Sequence, residues 1–210
     1  RVPIVDGKYS IECYYMALEG AVSHFRSNHG LKQGELLDNL DYLIYHMPFT
    51  KMAHKAHRQL VEIEYGDASP ETREKIFEES FARMVAPSLS GAQEVGNVYT
   101  GSVYMGLVSL LETEGEKAEG KKIGLFSYGS GCGAEFFLGY IQPGISGIVG
   151  SFGFKEQLES RKRLTFEQYV QFYSKSGEEV LYYPEEAKGF KNKYTRFVFT
   201  GFKDHKRQYA

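Results

Sequence analysis

A short, continuous apolar run in the middle of the chain constrains the fold most. Residues 123–128 are too few for a helix, and glycines lie inside the run and directly after it. Such runs are typical of central strands buried on both faces, and sheets of that kind are covered by helices. Apolar periodicity predicts helices at 10–25, 50–63, 69–84, 98–112 and 165–174, a short one at 34–40, and strands at 42–45, 134–141, 145–154 and 194–202. Because helices alternate with strands, we expect an α/β fold.

Composition excludes several classes of protein. The 210 residues are 42% hydrophobic and 15% aromatic, which is enough to bury a core. The formal net charge of -2 gives no overall attraction to nucleic acid, and no apolar run reaches the roughly 18 to 20 residues that span a membrane. Cys13 and Cys132 stand far apart with no CxxC motif, so we expect no disulfide framework, no zinc site and a cytoplasmic location. The chain begins with Arg1, and we expect a processed chain or a segment of a longer one.

The first candidate site surrounds His46. Residues 42–61 contain no acidic side chain, and Lys51, Lys55 and Arg58 share one face near the start of the helix predicted there. Cations at a helix N-terminus suit a phosphate. His46 ends a predicted strand, where a neutral imidazole can transfer protons near pH 7. The alternatives are that the three cations only form a solvated basic face, and that His46 is a structural histidine whose ring is hydrogen-bonded within the fold.

Two further segments contain candidate binding groups. Asn97, at the predicted start of the helix over 98–112, can either cap that helix or hold a substrate carbonyl. Ser127 precedes the glycine-rich turn 129–133, which suits an oxyanion hole or a plain tight turn. That turn has the spacing of neither a Walker loop nor a nucleophile elbow. No activating base flanks Cys13 or Cys132, so neither is assigned as a nucleophile.

Four motifs in this order resemble 3-hydroxy-3-methylglutaryl-CoA (HMG-CoA) synthases. They are VDGKYSIECY at 5–14, HMPFTKM at 46–52, GNVYTGS at 96–102 and GLFSYGSG at 124–131. The resemblance covers only the second half of that family, and it implies that residues 1–210 form the C-terminal half of a thiolase-like fold, a mixed sheet covered by helices. It also implies that the nucleophilic cysteine and the catalytic glutamate lie in a half that this chain lacks, so that the isolated chain is inactive.

The resemblance implies roles for individual residues. His46 matches the catalytic histidine, which helps to bind the acceptor carbonyl and to transfer protons. Lys51 and Lys55 match lysines that hold the carrier's phosphates or pantetheine, and Ser10 matches a serine that contacts the carrier. Asn97 and Ser127 match groups around the acyl thioester, and Tyr99 lies close by.

The implied reaction is a Claisen-type condensation of an acetyl group with the β-carbonyl of a β-ketoacyl thioester. The resemblance implies no cofactor and no metal, because CoA or phosphopantetheine thioesters carry the substrates. It also implies a homodimer, with no nucleic-acid or membrane partner.

The helix after His46 favours one branch of the family. His54, His57 and Arg58 make this helix more basic than the mevalonate-pathway pattern, and Arg58 is a surplus cation there. An acidic acyl carrier protein would give it a role, which favours the branch that performs β-branching in polyketide synthesis. The alternatives are a mevalonate-pathway HMG-CoA synthase that acts on acetoacetyl-CoA, and a silent module that binds phosphopantetheine or forms an oligomer interface.

Overall fold

The structure is a computed structural model that describes residues 6–174, 199–203 and 206–209. The chain divides into two compact units, residues 1–150 and residues 151–210. The helices of the first unit are α1 (Gly7–His29), α2 (Lys51–Tyr65), α3 (Pro70–Ser80), α4 (Ser90–Val95), α5 (Gly101–Glu114) and α6 (Ile145–Gly150). Its strands are β1 (Tyr42–Tyr45), β2 (Lys122–Tyr128) and β3 (Ala134–Tyr140).

The sheet of the first unit is mixed. Its order is β1-β2-β3, with β1 parallel to β2 and β2 antiparallel to β3. The predicted central position of the apolar run is therefore confirmed, because β2 is paired on both sides. Parallel pairing brings the carboxyl ends of β1 and β2 to the same edge of the sheet, where His46 follows β1 and the glycine-rich turn follows β2.

Helices cover both faces of this sheet. Side chains alternate along each strand, so Leu43 and Phe126 contribute to a core that includes residues of α1, α2 and α3. Ile44 and Leu125 contribute to a second core that includes residues of α5. The predicted fold class, a mixed sheet covered by helices, is confirmed.

Gly124 lets this packing close at the centre of β2. A Cβ atom there would lie 2.7 Å from Phe136 and 2.8 Å from both Leu40 and Leu43. The side chains on this face of the sheet therefore occupy the volume that any larger residue would need.

The second unit is smaller. Its described elements are helices α7 (Phe154–Glu159) and α8 (Phe166–Ser174) and the antiparallel pair β4 (Phe199–Lys203) and β5 (Lys206–Tyr209). The predicted helix at 165–174 and the end of the predicted strand at 194–202 are confirmed. Residues 194–198 lie outside the described residues.

Several predicted elements differ in the structure. Residues 145–150 are helix α6 and not a strand; periodicity cannot separate the two in so short an apolar run. The segment before α5 contains α4 after a 3₁₀ turn at Ala86–Ser88, and the predicted helix at 34–40 is a 3₁₀ turn at Leu37–Asn39. The cap of α1 is Asp6, whose Oδ1 accepts from the backbone N–H of Lys8 and Tyr9. Thr50 makes no capping hydrogen bond to α2.

Candidate active site

His46 stands directly after β1 and is 6% exposed. Its backbone N–H donates to the carbonyl of Phe126 at 2.8 Å, which extends the pairing of β1 with β2 by one residue. Its ring nitrogen Nδ1 is buried and has no hydrogen-bond partner among the described residues. A buried polar atom without a partner is costly, so this nitrogen is a candidate ligand contact.

Burial also keeps the imidazole of His46 uncharged. Loss of hydration disfavours the protonated ring and lowers its pKa from the ordinary value. A neutral imidazole has one N–H donor and one acceptor nitrogen, so His46 can hold or move a proton at neutral pH.

Two tyrosines form the aromatic surroundings of His46. The ring of Tyr14, from α1, lies 6.4 Å from the His46 ring, and that of Tyr128, from the end of β2, lies 6.0 Å away. The two tyrosine rings are 5.3 Å apart. Burial, followed by a hydrogen bond with Cys132, raises the pKa of Tyr128 to about 12. Tyr128 is therefore a neutral hydroxyl near pH 7.

The glycine-rich turn after β2 lies against the segment that begins α5. A Cβ atom at Gly129 would lie 3.3 Å from Cγ2 of Thr100, so the two segments approach closely. Within the turn, Gly131 and Cys132 have φ angles of 73° and 58°. Cys132 is exposed and accepts from the Tyr128 hydroxyl at 3.6 Å. The structure thus brings the turn and the segment containing Asn97 to one side of the first unit.

The other predicted contacts are placed as follows. Asn97 is exposed, and its Oδ1 accepts from the backbone N–H of Tyr99 at 2.7 Å, so it forms a local turn and does not cap α5. Tyr99 is 79% exposed and has a φ of 54°, which is uncommon for a tyrosine. Ser127 is half-buried in β2. Ser10 is exposed, and its Oγ donates to the carbonyl of Asp6 at 2.8 Å.

Lys51 and Lys55 remain available to a ligand. Both are exposed at the start of α2, and neither has an ion pair among the described residues. Nζ of Lys55 lies 5.9 Å from the ring centroid of Phe49, which is 43% exposed. Two cations, an exposed ring and a helix N-terminus together suit an anionic ligand with an apolar part.

The expectation that Arg58 is a surplus cation is wrong. Both terminal nitrogens of its guanidinium donate to the carboxylate of Glu74 in α3, and the guanidinium lies 4.0 Å from the centroid of the Phe77 ring. The hydrogen bond to Glu74 raises the pKa of Arg58 further. Arg58 therefore joins α2 to α3, and its charge is balanced within the chain.

His57 is not an additional cation either. It is fully buried, with Nδ1 2.9 Å from the Tyr45 hydroxyl and Nε2 2.7 Å from Oγ of Ser80. Ser80 donates its own proton to the carbonyl of Ile76, so its Oγ accepts from an Nε2–H of His57. Burial, and then the nearby charge of His54, lowers the pKa of His57 to about 3.

We expect His57 to make the chain sensitive to acid. Its folded pKa lies below its unfolded value of about 6.5, so the unfolded chain binds the extra proton. The stability that neutral His57 contributes is complete above about pH 6.5 and is lost as the pH falls toward about 3. The free energy of unfolding should fall by about 1.4 kcal/mol per pH unit within this window. Urea titrations of the 210-residue chain and of His57→Gln at several pH values measure the difference. Parallel curves for the two proteins would contradict this prediction.

A groove of about 450 Å³ lies away from these residues. It runs between α1 and β3 and is lined by residues that include His24, Phe25, Glu135 and Leu138. It contains none of the predicted site residues. Among the described residues no cluster of His, Cys, Asp or Glu could hold a metal ion. No helix in the described part of the chain has the length and apolar character needed to cross a membrane.

Comparison with known proteins identifies the family. A family model described as the C-terminal part of hydroxymethylglutaryl-coenzyme A synthase matches residues 1–78 and 64–186. The hydroxymethylglutaryl-CoA synthase of Schizosaccharomyces pombe is 31% identical over 198 residues, which cover 80% of this chain and 44% of that protein.

Solved structures agree with this match. MvaS in complex with 3-hydroxy-3-methylglutaryl coenzyme A superimposes with a TM-score of 0.78 and 36% identity, over 99% of this chain and 51% of that one. The HMG synthase of the curacin biosynthetic pathway, in complex with its holo donor acyl carrier protein (ACP), gives a TM-score of 0.78 and 29% identity, over 98% and 50%. This chain spans less than half the length of the S. pombe relative and about half of each solved chain. The chain belongs to the HMG-CoA synthase family and corresponds to its C-terminal part.

Proposed function

We propose that this chain supplies the acceptor side of a carbon–carbon condensation, in which an acetyl group adds to the β-carbonyl of a β-ketoacyl thioester. The observation that carries the proposal is His46: a buried, uncharged imidazole at the end of β1 whose Nδ1 has no partner among the described residues. The proposal also rests on membership of the HMG-CoA synthase family.

Each group has a chemical task in this proposal. The neutral ring of His46 donates a hydrogen bond from a ring N–H to the acceptor oxygen as negative charge develops on it. Ser127 and Asn97 hold the thioester, and Tyr99 and Ser10 contact the carrier. Lys51 and Lys55 bind the phosphates of the pantetheine arm at the start of α2.

The acceptor is proposed to be a CoA thioester. The preference for an acyl carrier protein depended on Arg58 as a free cation, but Glu74 balances that charge. His57 is buried and its lowered pKa keeps it neutral. Lys51 and Lys55 remain, and two cations suffice for the phosphates of CoA. A carrier-bound acceptor is the second candidate; the similar HMG synthase of the curacin pathway is solved in complex with a donor ACP.

Kinetics of the full-length protein should separate the two carriers. Lys51→Ala combined with Lys55→Ala should raise the KM for acetoacetyl-CoA about tenfold, because each lost phosphate contact is worth roughly 0.5–1 kcal/mol at an exposed site. Arg58→Ala, the matched control on the same helix, should leave this KM within about twofold. A salt-dependent loss in Arg58→Ala that appears only with an acceptor on a carrier protein would favour the polyketide branch instead.

We expect the 210-residue chain alone to form no acetyl-enzyme. Cys13 is buried in α1 and Cys132 lies in the glycine-rich turn, and no activating base hydrogen-bonds either thiol among the described residues. Incubation with acetyl-CoA followed by intact-mass measurement should show the unmodified mass. Stoichiometric addition of one acetyl group at either cysteine would contradict the proposal that this chain supplies only the acceptor side of the reaction.

The homodimer that the family resemblance implies stays a prediction.

A further inference from the structure

Tyr14 contacts His46 in two ways. It lies in the middle of α1 and is 2% exposed. Its hydroxyl donates to the backbone carbonyl of His46 at 2.8 Å, across 32 residues of sequence. Its ring stacks beside the His46 ring, with an angle of 27° between the planes. One side chain therefore contacts both the backbone and the imidazole of the candidate catalytic residue.

The orientation of the His46 ring depends on the two tyrosines packed beside it, Tyr14 and Tyr128, because its other contacts do not fix it. The N–H of His46 is held by Phe126 at 2.8 Å, but its carbonyl lies beyond the last residue of β1 and has no partner in the sheet. No side chain among the described residues hydrogen-bonds Nδ1. An imidazole without a hydrogen-bonded partner keeps its rotamer only through packing and through the backbone that carries it.

Tyr14 is itself rigid. Its ring makes an edge contact with Phe126 at 5.2 Å and lies 5.3 Å from Tyr128. Burial raises its pKa well above the ordinary value, so the hydroxyl stays protonated and remains a donor. It joins α1 to the edge of the sheet where β1 and β2 end.

We propose that Tyr14 is a positioning residue: its hydroxyl fixes the backbone at His46, and its ring holds the imidazole so that Nδ1 remains free for a ligand. The inference rests on the proposed role of His46 and assigns a second residue to the same site. Tyr14 does not touch substrate in this proposal; it acts through His46.

Substitution of the hydroxyl alone tests the proposal. In the full-length protein, Tyr14→Phe keeps the ring and should lower kcat for condensation about tenfold, with the KM of acetyl loading unchanged. Tyr15→Phe is the matched control, because Tyr15 is a half-buried neighbour in α1 without a hydrogen bond to His46. In the His46→Ala background, Tyr14→Phe should cause no further loss, since residues that act as one unit are not additive. A tenfold loss that persists without His46 would overturn the proposal.

A second measurement does not depend on activity. NMR titration of the His46 ring in the 210-residue chain should show its pKa rising toward the ordinary value in Tyr14→Phe and staying lowered in Tyr15→Phe. A purely structural role would lower the melting temperature and leave the His46 titration unchanged, and that result would also overturn the proposal. If His46→Ala condenses normally while the titration shifts as expected, the proposed function fails and the structural link from Tyr14 to His46 stands.

Discussion

Replacing His46 with alanine in the full-length protein should slow condensation by about 10²- to 10⁴-fold and leave acetyl loading intact. In the proposed function this chain supplies the acceptor side only, so the nucleophile and the base of the donor side are not affected by the substitution. The acceptor oxygen, in contrast, needs a donor where its charge develops. His46 is neutral because burial lowers its pKa, and its Nδ1 has no protein partner within the described residues.

The experiment separates the two half-reactions. Acetyl transfer from labelled acetyl-CoA is followed as labelled protein, and condensation as product released after the acceptor is added. His24→Ala, an exposed histidine of α1 whose ring contacts Asn28, should behave as the parent. Condensation by His46→Ala within about threefold of the parent would refute the assigned role and favour a silent binding module.

The fold could be predicted where the apolar pattern of a segment alone determines its secondary structure. The run at 123–128 could be placed as a central strand because its length and its glycines are unlike those of a helix. The strand predicted at 145–154 was wrong because a short run with so few apolar side chains has no decisive period. In the structure Val149 contributes to the core that contains Ile123, a contact that the local sequence does not reveal.

The site was only partly predictable, because charge and burial depend on distant partners. His46 could be singled out as a candidate from its place after a predicted strand. Arg58 was misread as a free cation and His57 as a charged one, since their partners Glu74 and Ser80 stand 16 and 23 residues away along the chain. Tyr14 lies in the helix predicted at 10–25, and its contact with His46 was not predicted. A tyrosine there is a usable signal, because a buried hydroxyl requires a hydrogen-bond partner.

Glu64 is a further side chain whose structural role could not be predicted from the local sequence. It stands one residue before the end of α2, yet its side chain has 0% exposure. Its carboxylate pairs with Arg26 of α1 at 2.8 Å and accepts from the backbone N–H of Gly34 at 2.9 Å and of Leu36 at 3.3 Å. One carboxylate thus joins α1, α2 and the segment that leads to β1.

Glu64→Ala should therefore destabilise the 210-residue chain by about 3 kcal/mol or more. The substitution leaves the guanidinium of Arg26, only 18% exposed, without its carboxylate, and it removes the acceptor of two backbone donors. Glu62→Ala is the matched control two residues earlier in α2; its pair with Arg73 is 47% exposed on the glutamate side and should be worth less than about 1 kcal/mol. Urea unfolding at pH 7, followed by circular dichroism, measures both. If both variants lost the same free energy of unfolding, the buried carboxylate of Glu64 would contribute no more than the exposed one of Glu62. That result would contradict the prediction that Glu64 joins α1, α2 and the segment before β1.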